Sequence, residues 1–184
     1  LTNTAGGAFT IANDAVTLAK MAGGTDGNLI TYDTSGDPAF VATGSAGQML
    51  QSKGAGAVPV FANVIYDIPF NAGFNAVSVK ENVVVQTYAE MCVSRAGSFS
   101  GESGYADTAP TGATLILDIE KNGTTIYATK PLFAIGANTL TAGVLKTDGA
   151  EDFVAADRIT FKCTQIGSTE AGEGIRFTVK AEAV

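Results

Sequence analysis

The sequence predicts an all-β protein, and three of its features carry that reading. Apolar residues fill 46% of the 184 positions against 16% charged, and glycine takes 22 of them, the profile of short strands joined by tight turns. Apolar and polar residues alternate at period two through much of the second half, as half-buried strands require. Asn122-Gly123 separates two strand-like runs, a strong hairpin signal. Together these place an antiparallel β-sandwich, jelly-roll-like, over residues 63–184. Residues 1–62 precede it as an extended shaft or connector with one short helix and β-hairpins.

Residues 1–62 are rich in Gly, Ala, Thr and Asp, and their apolar runs are too short to close a core unaided. Asn13 or Asp14 caps a predicted helix over residues 15–22, where Ala15, Leu18, Ala19 and Ala22 share one face. Two turns are marginal in water, because isolated helices need roughly 12–15 residues. The helix therefore needs a neighbour. Either identical helices meet around an axis through the small residues, with Leu18 or Met21 filling the centre, or the helix docks on its own sandwich. Ala15, Leu18, Ala19, Met21 and Ala22 are thus the candidate oligomerisation residues.

A strand over residues 27–33, a turn through Asp33, Gly36 and Pro38, and a strand over residues 39–43 read as a hairpin. Asp33 and Asp37 are spaced like part of a calcium loop, but the remaining oxygen ligands and the distal Glu are lacking, so a turn is expected. Residues 44–52 and 54–61 repeat the pattern of Gly turn and short apolar strand.

In the second part, Val83, Val85, Thr87, Ala89, Met91 and Val93 are predicted to face the core, with Gln86, Tyr88, Glu90 and Ser94 outward. Leu115, Leu117 and Ile119 alternate with Ile116, Asp118 and Glu120, and the Asn-Gly turn leads into a strand over residues 125–129. Two late strands turn Ile159, Phe161 and Cys163, and Ile175, Phe177, Val179 and Ala181, inward. Residues 167–174 between them read as a flexible acidic loop with Glu170 and Glu173 solvated.

A net charge of −7 repels phosphate backbones, so nucleic acid is not an expected partner. No stretch nears the roughly 20 apolar residues that span a bilayer, and residues 1–20 lack the pattern of a signal peptide, so no membrane insertion is expected. The chain begins at Leu1 without a methionine, so more protein is expected to precede it. Histidine is absent, which removes the commonest acid/base group near neutral pH and the commonest metal ligand. Cys92 and Cys163 are too few and too far apart for a zinc site, and they read as free thiols with Cys163 buried. No enzyme, cofactor or metal is expected.

The candidate recognition surface is the stretch 96–107, read as an adaptable Gly/Ser loop. Phe99 and Tyr105 are placed to stack on sugar rings, and Glu102 and Asp107 to accept hydroxyl hydrogen bonds. The plainer alternative is a solvated connection whose aromatics pack back onto the protein. Glu102 and Asp107 as a glycosidase pair is disfavoured, since a mobile loop would hold them poorly.

Two stretches carry a resemblance. Thr111-Gly112, Asp118-Ile119, Asn122-Gly123, Asp157-Arg158-Ile159 and Gly167-Ser168-Thr169, within residues 109–184, resemble a β-sandwich module at the C-terminus of many phage fibre and virion structural proteins. Residues 14–33, with Gly44-Ser45-Ala46-Gly47-Gln48 and residues 54–61, are similar to connector segments of phage tail fibres. The resemblance implies a tailed-bacteriophage virion protein, made in the host cytoplasm and exposed on the particle. It implies a homotrimer, attachment to other virion structural proteins through the N-terminal side, and an outward C-terminal domain. The expected role is a fibre or decoration protein on the tail or capsid, with recognition of host surface glycan as the alternative.

Overall fold

The computed structural model describes residues 23–75 and 79–183. The predicted helix and the oligomerisation residues Ala15, Leu18, Ala19, Met21 and Ala22 lie outside the described residues. What is described is all β, with no helix. The chain divides into two compact units: the described residues up to Ser45 with Leu50–Phe61, and Ala46–Met49 with the residues from Ala62 onward.

In the first unit, β1 (Leu29–Tyr32) pairs antiparallel with β2 (Pro38–Val41), bringing Ile30 opposite Phe40 and Tyr32 opposite Pro38. Asp33 closes the turn, its Oδ1 accepting from the backbone N–H groups of Ser35 at 2.8 Å and Asp37 at 3.0 Å. The Asp33 carboxylate thus holds the expected turn, and Asp37 joins it through its backbone N–H. Gly36 takes the positive φ of 84° that the turn requires. A second ribbon joins β3 (Met49–Gln51) to β4 (Val60–Ala62).

The second unit holds two larger sheets. One has the order β14 (Asp152–Phe153), β7 (Gly97–Thr108), β16 (Glu173–Ala183) and β5 (Ile65–Ala72). The other runs β12 (Leu140–Thr141), β11 (Leu132–Phe133), β8 (Leu115–Lys121), β15 (Arg158–Gln165) and β6 (Gln86–Cys92), with β9 (Thr124–Thr125) paired to β8. A short ribbon joins β10 (Tyr127–Thr129) to β13 (Val144–Leu145). Inward residues of both large sheets share one core. Phe161 of β15 stacks on Phe70 of β5 at 5.1 Å and on Phe177 of β16 at 5.3 Å between ring centroids. Such ring pairs add about 0.5–1.5 kcal/mol each beyond their buried area.

Several predicted elements stand. Leu115, Leu117 and Ile119 of β8, Ile159, Phe161 and Cys163 of β15, and Ile175, Phe177, Val179 and Ala181 of β16 are all buried. Asn122 and Gly123 take φ of 51° and 85°, the two left-handed residues of a tight hairpin turn. Asn122 does more than turn the chain: its side-chain amide donates to Asp157 at 2.7 Å and its oxygen accepts from the Arg158 N–H at 2.9 Å.

Other expectations are corrected. The strand expected from Val83 begins only at Gln86, and its alternation fails at Tyr88. In the ladder with β15, Phe161 pairs with Ala89 and Lys162 with Thr87, so Tyr88 is an extra residue in a β-bulge. The bulge flips parity: Tyr88 turns toward Phe161 at 6.2 Å, while Val85 is left 59% exposed. The Tyr88 hydroxyl bonds the backbone of Val84, accepting from its N–H at 2.8 Å and donating to its carbonyl at 3.2 Å. The strand expected over residues 125–129 breaks at Ile126, which is fully buried. Residues 167–174 are pinned rather than loose: Glu170 and Thr111 form a bridge, and Glu173 lies in β16 and accepts from the Thr108 hydroxyl at 2.9 Å.

Candidate functional site

The stretch read as a recognition loop is strand β7, twelve residues long and paired with β16 along almost its whole length. Alternation along the strand, shifted by one residue at the β-bulge where Gly101 pairs with Lys180 and Phe99 with Ala181, separates the four candidates. Phe99 points into the core and lies against Phe153 with centroids 4.7 Å apart, so its ring is not offered to a ligand. Glu102 is buried too. Its Oε2 accepts from the Tyr127 hydroxyl at 3.2 Å, and its Oε1 accepts from the Gly143 N–H. Burial and then the adjacent Glu102 push the Tyr127 phenol far up, so it serves as a hydrogen-bond donor.

Tyr105 and Asp107 stay on the outer face. Tyr105 is 50% exposed, and Asp107 accepts from Arg176 Nη1 at 2.7 Å. That bond holds the Asp107 carboxyl below its ordinary value and raises the Arg176 guanidinium. Arg176 also lies over the Phe74 ring, 5.1 Å from its centroid. Glu102 and Asp107 are five positions apart on one strand, an odd spacing that turns them to opposite faces. A cooperating carboxylate pair cannot form there.

Arg176, Asn71 and Phe74 were not among the sequence candidates. Alternation turned Arg176 outward, but nothing linear ties position 176 to position 107. The link comes from the β7–β16 register, which sets Arg176 against Tyr105, and from the β5–β16 register, which sets it against Asn71.

Two further depressions exist among the described residues. A groove of about 360 Å³ runs between β5 and β6, lined by Tyr66, Ile68, Met91, Cys92, Val93 and Arg95 among others. A trough of about 250 Å³ crosses the outer face of β6, β15 and β8. There Lys162 reaches Glu120 at 2.6 Å and the Thr160 hydroxyl reaches Glu90 at 3.3 Å. Both thiols are free; Cys92 is exposed, while burial pushes the Cys163 thiol up to about 11. Among the described residues, no three or more Cys, Asp or Glu side chains gather where they would hold a metal ion. No helix among them is long and apolar enough to cross a membrane.

No protein-family model matches the chain, and no curated protein matches it in sequence.

Proposed function

We propose that the chain is a structural component of a tailed-bacteriophage virion, a trimeric fibre or decoration protein of the tail or capsid. In this reading it is attached to other virion proteins through its N-terminal side, displays a jelly-roll sandwich outward and catalyses no reaction. The sandwich reading is supported by strand order. With the eight principal strands β5, β6, β7, β8, β11, β14, β15 and β16 numbered one to eight, the sheets run 1-8-3-6 and 2-7-4-5. That order is the one expected of two Greek keys in an eight-stranded jelly roll, which supports the reading.

One observation carries the oligomeric part. A two-stranded ribbon is marginal in water, and three strands with an apolar face, or a covering element, are needed for independent stability. The β1–β2 ribbon nevertheless leaves Ile30, Tyr32 and Phe40, all on one face, 54%, 68% and 51% exposed. Sister chains bring the same face in equal number, and a three-fold assembly lets these faces cover one another. The fibre identity itself rests on the resemblance of residues 14–61 and 109–184 to phage connector and sandwich segments.

Size-exclusion chromatography with light scattering tests the assembly. The expected mass is that of a trimer, with Ile30→Ser and Phe40→Ser together shifting the protein toward monomer at micromolar concentration. A folded monomer of the unaltered chain would overturn it. Antibody labelling of intact particles, with decoration absent from tail and capsid alike, would overturn the virion placement.

A further inference from the structure

The flank where the two large sheets end together is open. β5 and β6 are the last strands of their sheets, and the groove of about 360 Å³ between them lies wholly within the second unit. That volume falls at the small end of the roughly 300–1,000 Å³ typical of small-molecule sites. An added strand does not suit it. Pro69, in the middle of β5, lacks the N–H that a pairing strand would bond, and the bulge at Tyr88 interrupts β6. The space is left for something short.

The groove joins an apolar floor to a cluster of donors. Ile68 and Val93 are buried and Met91 is partly so. The Tyr66 and Ser94 hydroxyls and the Arg95 guanidinium have no side-chain hydrogen-bond or ion-pair partner among the described residues. Burial raises the Tyr66 phenol and Arg95 pulls it partly back, so the hydroxyl stays protonated and lies within reach of the guanidinium charge. Asp67 is the one carboxylate among the lining residues. It alternates to the opposite face of β5 from Tyr66 and Ile68, where Lys180 is its register partner and Glu182 stands two places further along β16. The Asp157 backbone carbonyl bonds the Val93 N–H, but its carboxylate is taken up by Asn122 and the Val154 N–H. The acceptors around the groove are thus turned away or occupied, while its donors are free.

A carboxylate accepts several N–H and O–H bonds at once and pairs best with a guanidinium. From this arrangement we propose that the β5–β6 groove binds a small monocarboxylate with an apolar body, its charged end on Arg95, Tyr66 and Ser94 and its body on Ile68, Met91 and Val93. The chain's −7 repels anions at long range, but at physiological salt exposed charges beyond about 8 Å are largely screened, and the local donors decide. The site goes beyond the structural reading above and needs no neighbouring chain.

A ligand-observed NMR titration of the full chain tests it, with octanoate and 4-phenylbutyrate as probes and octanamide and octylamine as the uncharged and cationic comparisons. At least one carboxylate is expected to bind, about fivefold or more tighter than either comparison. Affinity should fall about tenfold in Arg95→Gln, at an exposed position, and severalfold in Tyr66→Phe, which removes only the hydroxyl. Arg158→Gln, an exposed guanidinium outside this groove, should bind like the unaltered chain. Cys92 is exposed and lines the groove, so bound octanoate should slow its alkylation by N-ethylmaleimide. The site would be overturned by silence of both carboxylates, by equal binding of octanamide or octylamine, by equal losses in Arg95→Gln and Arg158→Gln, by no loss in Arg95→Gln, or by unslowed alkylation of Cys92 at saturation.

Discussion

The two units use the same strand chemistry to opposite ends. In the second unit Phe161 sits between Phe70 and Phe177 with no exposed surface. In the first, Phe40 is paired across a ladder of equally good register and still faces solvent. Pairing satisfies the backbone in both places, so the difference lies in what covers the side chains. Ladder hydrogen bonds contribute little net stability, and most of it comes from the covered apolar face.

The widest test of that contrast is a matched pair of truncations. Phe161→Ala should cost about 3–5 kcal/mol in urea unfolding of the second unit. Phe40→Ala, followed in dilute protein by the same transition, should move it by less than about 0.5 kcal/mol. Equal losses would erase the distinction between the units. A smaller effect is expected at the edge of the core. Asp118 is 1% exposed and receives both Lys130 Nζ at 2.8 Å and the Thr125 hydroxyl. Lys130→Ala leaves that carboxylate with the hydroxyl alone and should cost roughly 1–2 kcal/mol, less than a fully buried pair because Lys130 is 37% exposed.

The smallest effect is one of pH. The Val154 N–H, and then the Asn122 amide, hold the Asp157 carboxyl below its ordinary value. A depressed folded-state value contributes stability above the unfolded value near about pH 4, and that contribution fades as pH falls through the folded value. Asp157→Asn should therefore lower stability at neutral pH and flatten its decline below about pH 4. Denaturation curves at neutral and acid pH read both changes, and an unchanged acid limb would remove Asp157 as a contributor.

Legibility in the sequence follows the same divide. Strands β8, β15 and β16 declare themselves because each buries one face, so alternation survives in Leu115-Ile116-Leu117, Ile159-Thr160-Phe161 and Phe177-Thr178-Val179. The Asn122-Gly123 turn is as clear, since few other residues tolerate two successive positive φ values. Strand β7 was opaque. Its Gly, Ser and acidic residues have low strand preference, and it is extended because β14 and β16 pair with it on either side. Tyr88 hid for another reason: a bulge inserts one residue, and a period-two pattern read straight through it assigns the wrong face. Of the outer-face cluster, Tyr105 and Asp107 were visible as residue types, whereas Arg176 and Asn71 join them only once strands far apart in sequence fall into register.

The Ala183 N–H donates to the Val64 carbonyl at 2.8 Å, and Glu182 pairs with Ile65. Entry and exit of this fold thus share one doorway. A sequence spliced after Ala183 would emerge beside the incoming chain, and the module could be set into a surface loop of an unrelated host protein without stretching either junction. Tension drawn between those two points would peel β5 from β16 rung by rung, as a zipper opens, instead of shearing the whole ladder at once.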